Sequence, residues 1–311
     1  MIFSLLKKAL LLVGLIAGSI AVILWLPLNR PNHFLLATID KESLLHRTPS
    51  PKIIVIGGSN TIFNIDSKLI GDATGLPTIN LGLHAGLGLE FMLNEIRPFL
   101  KSGDRVIIMP EYAQFYGDLF YGSRILTRLV TLNPHAFQYI RTWGQYLALI
   151  KSAGLEARNK IVYLLGRSAE EETYNRTAFN AYGDLRIQMI GNQSLVKLQV
   201  ENYEIRPSRE INSKCIRELN KFFTQTQQIG VQVYLVYSAI PLEKYLSNFD
   251  RIWALNQYLK QNLKIPLLFS PDKVLVPAHE FFDTFYHLNS IGRQRYTEIL
   301  IKYLSNLILM R

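Results

Sequence analysis

The sequence predicts an α/β fold, a parallel sheet wound with helices, behind an N-terminal membrane-spanning helix. Three observations carry that expectation. Short apolar runs rich in β-branched residues recur along the chain and stop at Gly, Pro or Asp turns. Stretches with apolar residues at helical spacing lie between them. An uncharged run of Leu, Ile, Val, Ala and Gly from Ala9 to Leu26 opens the chain, and about 20 such residues span a bilayer as a helix.

Taken in order, Lys7 and Lys8 precede the apolar run and Arg30 follows it, which places the N-terminus on the cytoplasmic side and the remainder outside. Leu26-Pro27-Leu28-Asn29-Arg30 offers no small-residue cleavage site, so the run is expected to stay as an anchor over residues 1–30. Asn29 to Pro51 is a mixed polar connector. Lys52-Ile53-Ile54-Val55-Ile56-Gly57-Gly58-Ser59-Asn60 then reads as a buried strand ending in a tight turn that presents a hydroxyl. Asp66 to Ile70 opens a short helix, Pro77 to Leu81 is a second strand, and Gly86 to Leu100 is helical with Leu89, Met92, Leu93, Ile96 and Leu100 on one stripe. Gly103-Asp104 turns the chain into a third strand, Arg105 to Met109, closed by Pro110-Glu111-Tyr112. Further on come a helix over Glu210–Gln228, a fourth strand over Val231–Tyr237, a helix over Trp253–Leu263, a short fifth strand over Pro266–Phe269 and a last helix from Ser290 to Leu309. Strands alternating with helices imply parallel pairing with right-handed crossovers. About five such units imply a flavodoxin-like three-layer sandwich over residues 31–311. Residues 119 to 209 break the alternation: a mainly helical insertion that becomes polar and irregular beyond residue 166 and is either a cap over the carboxyl edge of the sheet or a second small packing layer with no role in the site.

Composition narrows the function classes. Cys215 is the single cysteine, which excludes an intrachain disulfide and Cys-rich zinc sites. The net charge of +10 is dispersed, with no basic block or nucleic-acid motif, which fits either attraction to an anionic membrane or polymer or an ordinary solvated basic surface. No phosphate-binding glycine motif is present, and no metal or cofactor is expected.

The candidate chemistry lies at the carboxyl edge, where open parallel sheets hold their ligands. Ser59 sits there, but a serine needs an adjacent base, and a histidine needs a carboxylate to orient it. Asp283 and His287 occupy one short loop just before the last helix, at the same edge, followed by Asn289 or Ser290 as a helix cap. Of the other histidines, His84 stands near the end of the second strand as a pocket residue, and His279 is the substitute base.

At these residues the chain resembles the SGNH hydrolases, also called GDSL-like esterases. Gly57-Gly58-Ser59 matches their first block and Asn80-Leu81-Gly82-Leu83-His84-Ala85-Gly86 their second. Asp283, His287, Leu288, Asn289 and Gly292 match the last. The likeness implies a Ser59–His287–Asp283 triad and an oxyanion hole formed by the Ser59 amide and Gly86, with Gly82 in reserve. The third block departs from the pattern. Its usual Gly-x-Asn-Asp is replaced by Met109-Pro110-Glu111-Tyr112, so the asparagine donor is either missing or supplied elsewhere, with Asn60 as the candidate. Glu111 and Tyr112 then become substrate-binding candidates beside His84. The anchor followed by such a domain is the arrangement of members that modify cell-surface polysaccharides. The resemblance therefore implies a membrane-anchored, extracytoplasmic serine esterase or O-acyltransferase acting on ester-linked acyl groups of cell-surface glycans, with a possible membrane-protein partner. The alternative is an inactive binding or assembly subunit of the same fold.

Overall fold

The computed structural model describes residues 2–167, 174–191 and 210–309. Helix α1 (Ile2–Trp25) carries Lys7 and Lys8 in its first turns and is almost wholly apolar beyond them; it buries none of its side chains and is long and apolar enough to cross a membrane. Its end rests on a later helix: Lys160 Nζ donates to Leu24 O at 2.6 Å, and the Arg30 guanidinium lies over the Tyr163 ring.

The connector holds a helix that the sequence pattern concealed. In α2 (Ala37–Arg47) the buried positions are Ala37, Thr38, Lys41, Leu44 and Leu45, a helical stripe with a lysine at its centre. Lys41 donates to Asn80 O at 2.8 Å and to Gly183 O. A cation that substitutes for an apolar residue in the stripe hides the periodicity on which sequence reading depends.

The sheet is built as expected over four strands. β1 (Ile53–Gly57) is buried along its whole length. It is followed by α3 (Ser59–Asn64), α4 (Ser67–Thr74), β2 (Thr78–Asn80), α5 (Leu89–Ile96) and β3 (Arg105–Met109). The expected helix over 86–100 is shorter because Gly88, at φ 85°, separates a 3-10 turn from α5, and Pro98 sits in a second 3-10 turn after it. The insertion contributes α6 (Arg124–Leu132), α7 (Trp143–Leu164) and α8 (Ile187–Ile190); residues 168–173 and 192–209 of it lie outside the described set. Then come α9 (Ser213–Gln228), β4 (Gln232–Leu235), β5 (Ile240–Pro241), α10 (Leu242–Ser247), α11 (Phe249–Asn262), β6 (Leu275–Val276) and α12 (Ser290–Leu309).

All pairings in the main sheet are parallel, in the order β2-β1-β3-β4. Nearly continuous apolar strands are what a sheet covered on both faces requires. The expected fifth strand over Pro266–Phe269 is reduced to one parallel bridge, Leu235 with Leu267. Pro266 has no N–H to give to a ladder; its carbonyl accepts from Leu235 N at 3.0 Å, and Leu268 N returns one bond to Leu235 O at 3.1 Å. A small unexpected parallel pair, β5 with β6, stands apart from the main sheet. Cys215 is buried on α9, and burial pushes its thiol pKa up.

Candidate active site

Register alone decides which residues meet at the carboxyl edge. Gly57 pairs with Met109 in the β1–β3 ladder. Two residues beyond each, Ser59 and Glu111 must therefore be neighbours. Ser59 is the first residue of α3, half-exposed, and its Oγ lies 3.4 Å from Glu111 Oε1. Glycine is required just before it. A Cβ on Gly58 would stand 2.6 Å from Glu111 Oε1 and 2.9 Å from the Ala85 Cβ.

The histidine arrives on a loop that is tied down on both sides. Phe282 N donates to His287 O at 2.7 Å, and Leu288 N donates to Asn64 Oδ1, on α3, at 3.0 Å. Asn289, rather than Ser290, caps α12: its Oδ1 accepts from the backbone of Ile291 and of Gly292, each at 3.1 Å. His287 Nε2 then lies 2.8 Å from Ser59 Oγ, and Nδ1 lies 2.6 Å from Asp283 Oδ1. Burial works to raise the Asp283 pKa, but hydrogen bonds from His287 and Tyr174 outweigh it and hold the carboxyl below its usual range. An ionised Asp283 fixes the tautomer with a proton on Nδ1, which leaves Nε2 to accept from the serine.

Two residues that sequence reading missed complete the constellation. Phe63, on α3, stacks on the His287 ring with centroids 3.8 Å apart and planes 3° from parallel. Tyr174, from the insertion, donates its hydroxyl to Asp283 Oδ2 at 3.2 Å. Phe63 sits four residues after Ser59, one helical turn away, and that spacing was its available signal. Tyr174 had none, being remote in sequence and set in a polar stretch. Phe63→Leu keeps an apolar filling but loses the flat face against the imidazole. We expect stability to fall by roughly 1 kcal/mol and the reaction of Ser59 with an activated ester to slow by about tenfold, as the imidazole loses the face that orients it towards the hydroxyl. Steady-state kinetics and thermal unfolding of the variant check both.

The remaining expected residues divide. His84 lines the site cavity; burial first, then the charges of His287 and Arg128, lower its pKa to about 4, so it is neutral. Three of the four expected oxyanion donors, all but the Ser59 amide, are engaged elsewhere. Gly86 N donates to His84 Nδ1 at 2.9 Å, Gly82 N to Asn80 Oδ1 at 3.0 Å, and Asn60 Nδ2 to Met109 O at 3.0 Å. The Asn60 side chain thus points into the core. Tyr112 also leaves the site: it is 1% exposed and stacks on Tyr237, because successive residues after β3 face opposite ways and Glu111 takes the site side. The substitute base His279 is exposed. Among the described residues no set of three His, Cys, Asp or Glu side chains converges as a metal site.

Ser59 and His287 open into a cavity of about 310 Å³ whose walls are mainly apolar, including Phe34, Leu35, Ile62 and Ile125. An apolar cavity with a few convergent polar groups is the usual form of a small-molecule site.

No family model and no curated protein matches the chain. A solved structure described as "a putative platelet activating factor from Streptococcus pneumonia" is similar to it at 11% identity, over 86% of this chain and 91% of that one, with a TM-score of 0.41. At that level the likeness bears on neither the fold nor the chemistry.

Proposed function

We propose that the protein is a serine esterase or O-acyltransferase of the SGNH type, on a flavodoxin-like three-layer domain held at the outer face of a membrane by α1. The observation that carries this reading is the unbroken chain from Ser59 through His287 to Asp283, at 2.8 and 2.6 Å. Ser59 attacks an ester carbonyl as its proton passes to His287 Nε2. The imidazolium, held by Asp283, returns that proton to the leaving oxygen, and the acyl group then passes to water or to a sugar hydroxyl. The apolar cavity suits the acyl portion. A second cavity of about 80 Å³, lined by Leu28, Arg30 and Lys160 at the exit of α1, shares His33 and Arg128 with the first. That continuity supports a substrate presented from the membrane side, such as an acylated cell-surface glycan.

One observation favours a second reading, a binding or assembly subunit: the amides of Gly82 and Gly86 and the side chain of Asn60 all donate elsewhere. Labelling separates the two. Full-length protein in detergent, treated with a fluorophosphonate, should carry one adduct, mapped to Ser59 by mass spectrometry and absent from Ser59→Ala. A folded wild type that resists the reagent overturns the hydrolase reading and leaves the subunit.

A further inference from the structure

We infer that Glu111, in its neutral acid form, is a catalytic hydrogen-bond donor to the oxyanion and stands where related sites use an asparagine. The inference rests on the acyl-transfer reading and supplies the donor that reading lacks.

The argument begins with a proton inventory. The Ser59 hydroxyl has one hydrogen and two neighbours able to accept it, His287 Nε2 at 2.8 Å and Glu111 Oε1 at 3.4 Å. Attack requires that hydrogen on the histidine side. If Glu111 is ionised it can only accept, so it competes with His287 for the same proton. It also places a negative charge beside the carbonyl oxygen that must itself become negative. If Glu111 is neutral the conflict vanishes. Its O–H points to the serine oxygen in the free enzyme and to the substrate oxygen once the tetrahedral adduct forms.

The surroundings hold the carboxyl in that place. The Asn60 backbone N–H donates to it. Gly58 leaves room for Oε1 where any side chain would collide with it. Gln114 accepts from the Glu111 backbone N–H at 3.0 Å and donates to Ala85 O at 3.3 Å, tying the turn after β3 to the loop after β2. Around the carboxyl are Ser59 and Asn60 on α3, Ala85 across Gly58, and Gln114 on its own turn. None of these is a fixed cation that would favour the carboxylate. Burial raises the Glu111 pKa to about 7, and the hydrogen bonds from Ser59 and from the Asn60 amide offset only part of that rise. A carboxylic acid kept neutral by an apolar site is a known way to donate to an oxyanion.

The step balances. The Ser59 Oγ–carbonyl carbon bond forms, the carbonyl π pair moves to oxygen, and the serine proton goes to His287. Glu111 keeps its own proton throughout and lends only the hydrogen bond. On collapse the leaving oxygen takes the proton from His287.

The sign of the pH dependence follows. Glu111 must be protonated, so activity falls as pH rises through about 7. The test uses full-length protein in detergent, with 4-nitrophenyl acetate as probe, on wild type, Glu111→Gln and Glu111→Ala, each from pH 5 to 9. Glutamine keeps a donor that cannot ionise. Glu111→Gln should stay within roughly threefold of wild type at pH 6 and lose the alkaline fall, whereas Glu111→Ala should lose roughly 100- to 1000-fold at every pH. Infrared difference spectra of wild type against Glu111→Gln should show a protonated carboxyl at pH 6 that titrates away near neutrality. The proposal is overturned alone if Glu111→Gln loses as much as Glu111→Ala, which would make the carboxylate a base. It is equally overturned if both variants match wild type, or if no protonated carboxyl is seen at pH 6. Wild-type turnover that does not depend on Ser59 overturns the acyl-transfer reading instead, and the donor role with it.

Discussion

Replacing Ser59 with alanine should lower kcat on an activated ester by about 10,000- to 1,000,000-fold and leave the fold intact. The size follows from the geometry. Ser59 Oγ lies 2.8 Å from His287 Nε2 and Ser59 lines the cavity, so on the proposed mechanism no covalent path remains without it, and only binding and polarisation act on the ester. The fold survives because the side chain is half-exposed and its polar contacts are to the site itself, His287 and Glu111. His287→Ala should fall by a similar factor, and the double variant should be no worse than either single one, because nucleophile and base act as a unit. Asp283→Asn should fall less, since Tyr174 still holds the loop while the wrong tautomer is favoured. Steady-state kinetics on the four proteins, with circular dichroism to confirm folding, checks the pattern. Additive losses, or full turnover in Ser59→Ala, would place the chemistry elsewhere.

The parts of the site that sequence disclosed are those where local pattern and topology coincide. The run Ile53–Ile56 declares a buried strand, Gly57-Gly58 a tight exit from it, and parallel order brings the Asp283–His287 loop to the same edge. What stayed hidden depends on long-range pairing or on a residue used against type. Lys41 concealed α2 by standing in an apolar stripe. Pro266 withheld the donor that would have let the fifth strand form a ladder. Tyr174 reaches Asp283 from a segment with no periodicity of its own. Tyr112 and Glu111 looked equivalent as neighbours, yet alternation sends one into the core and the other to the serine. Asn60 read as a donor beside the nucleophile, but α3 turns its amide inward to Met109 O. The orientation of a single side chain on a short helix is set by what it packs against, and that partner lies 49 residues away.

Asp184→Ala should destabilise the protein by about 3–5 kcal/mol, the expected loss when a buried ion pair is broken from one side. Asp184 comes from the insertion and is wholly buried. Its carboxylate accepts from Ser67 N at 2.9 Å, Ser67 Oγ at 2.7 Å and Asn80 Nδ2 at 2.9 Å, and faces Arg293 at 3.5 Å. Arg293, 3% exposed on α12, donates to Ile65 O at 2.6 Å and to Leu185 O at 2.8 Å. Without Asp184 that guanidinium keeps its burial and loses its counter-charge, and the Ser67 and Asn80 donors lose their acceptor. Folded domains have only about 5–15 kcal/mol in hand, so the midpoint of urea unfolding should drop by a large fraction. The effect should reach the site as well. Ile65 follows the helix that starts at Ser59, and Arg293 lies six residues after His287, so one guanidinium fixes the spacing between Ser59 and His287. In the cold, where Asp184→Ala remains folded, kcat should fall while Ser59 still reacts with a fluorophosphonate, only more slowly. Arg293→Met in the Asp184→Ala background should cost less than Arg293→Met alone, because the two members of a removed pair are not independent. Urea unfolding of the three variants, followed by tryptophan fluorescence in detergent, measures that coupling. Fully additive losses would mean that the insertion is held by its apolar contacts, with Asp184 and Arg293 contributing independently.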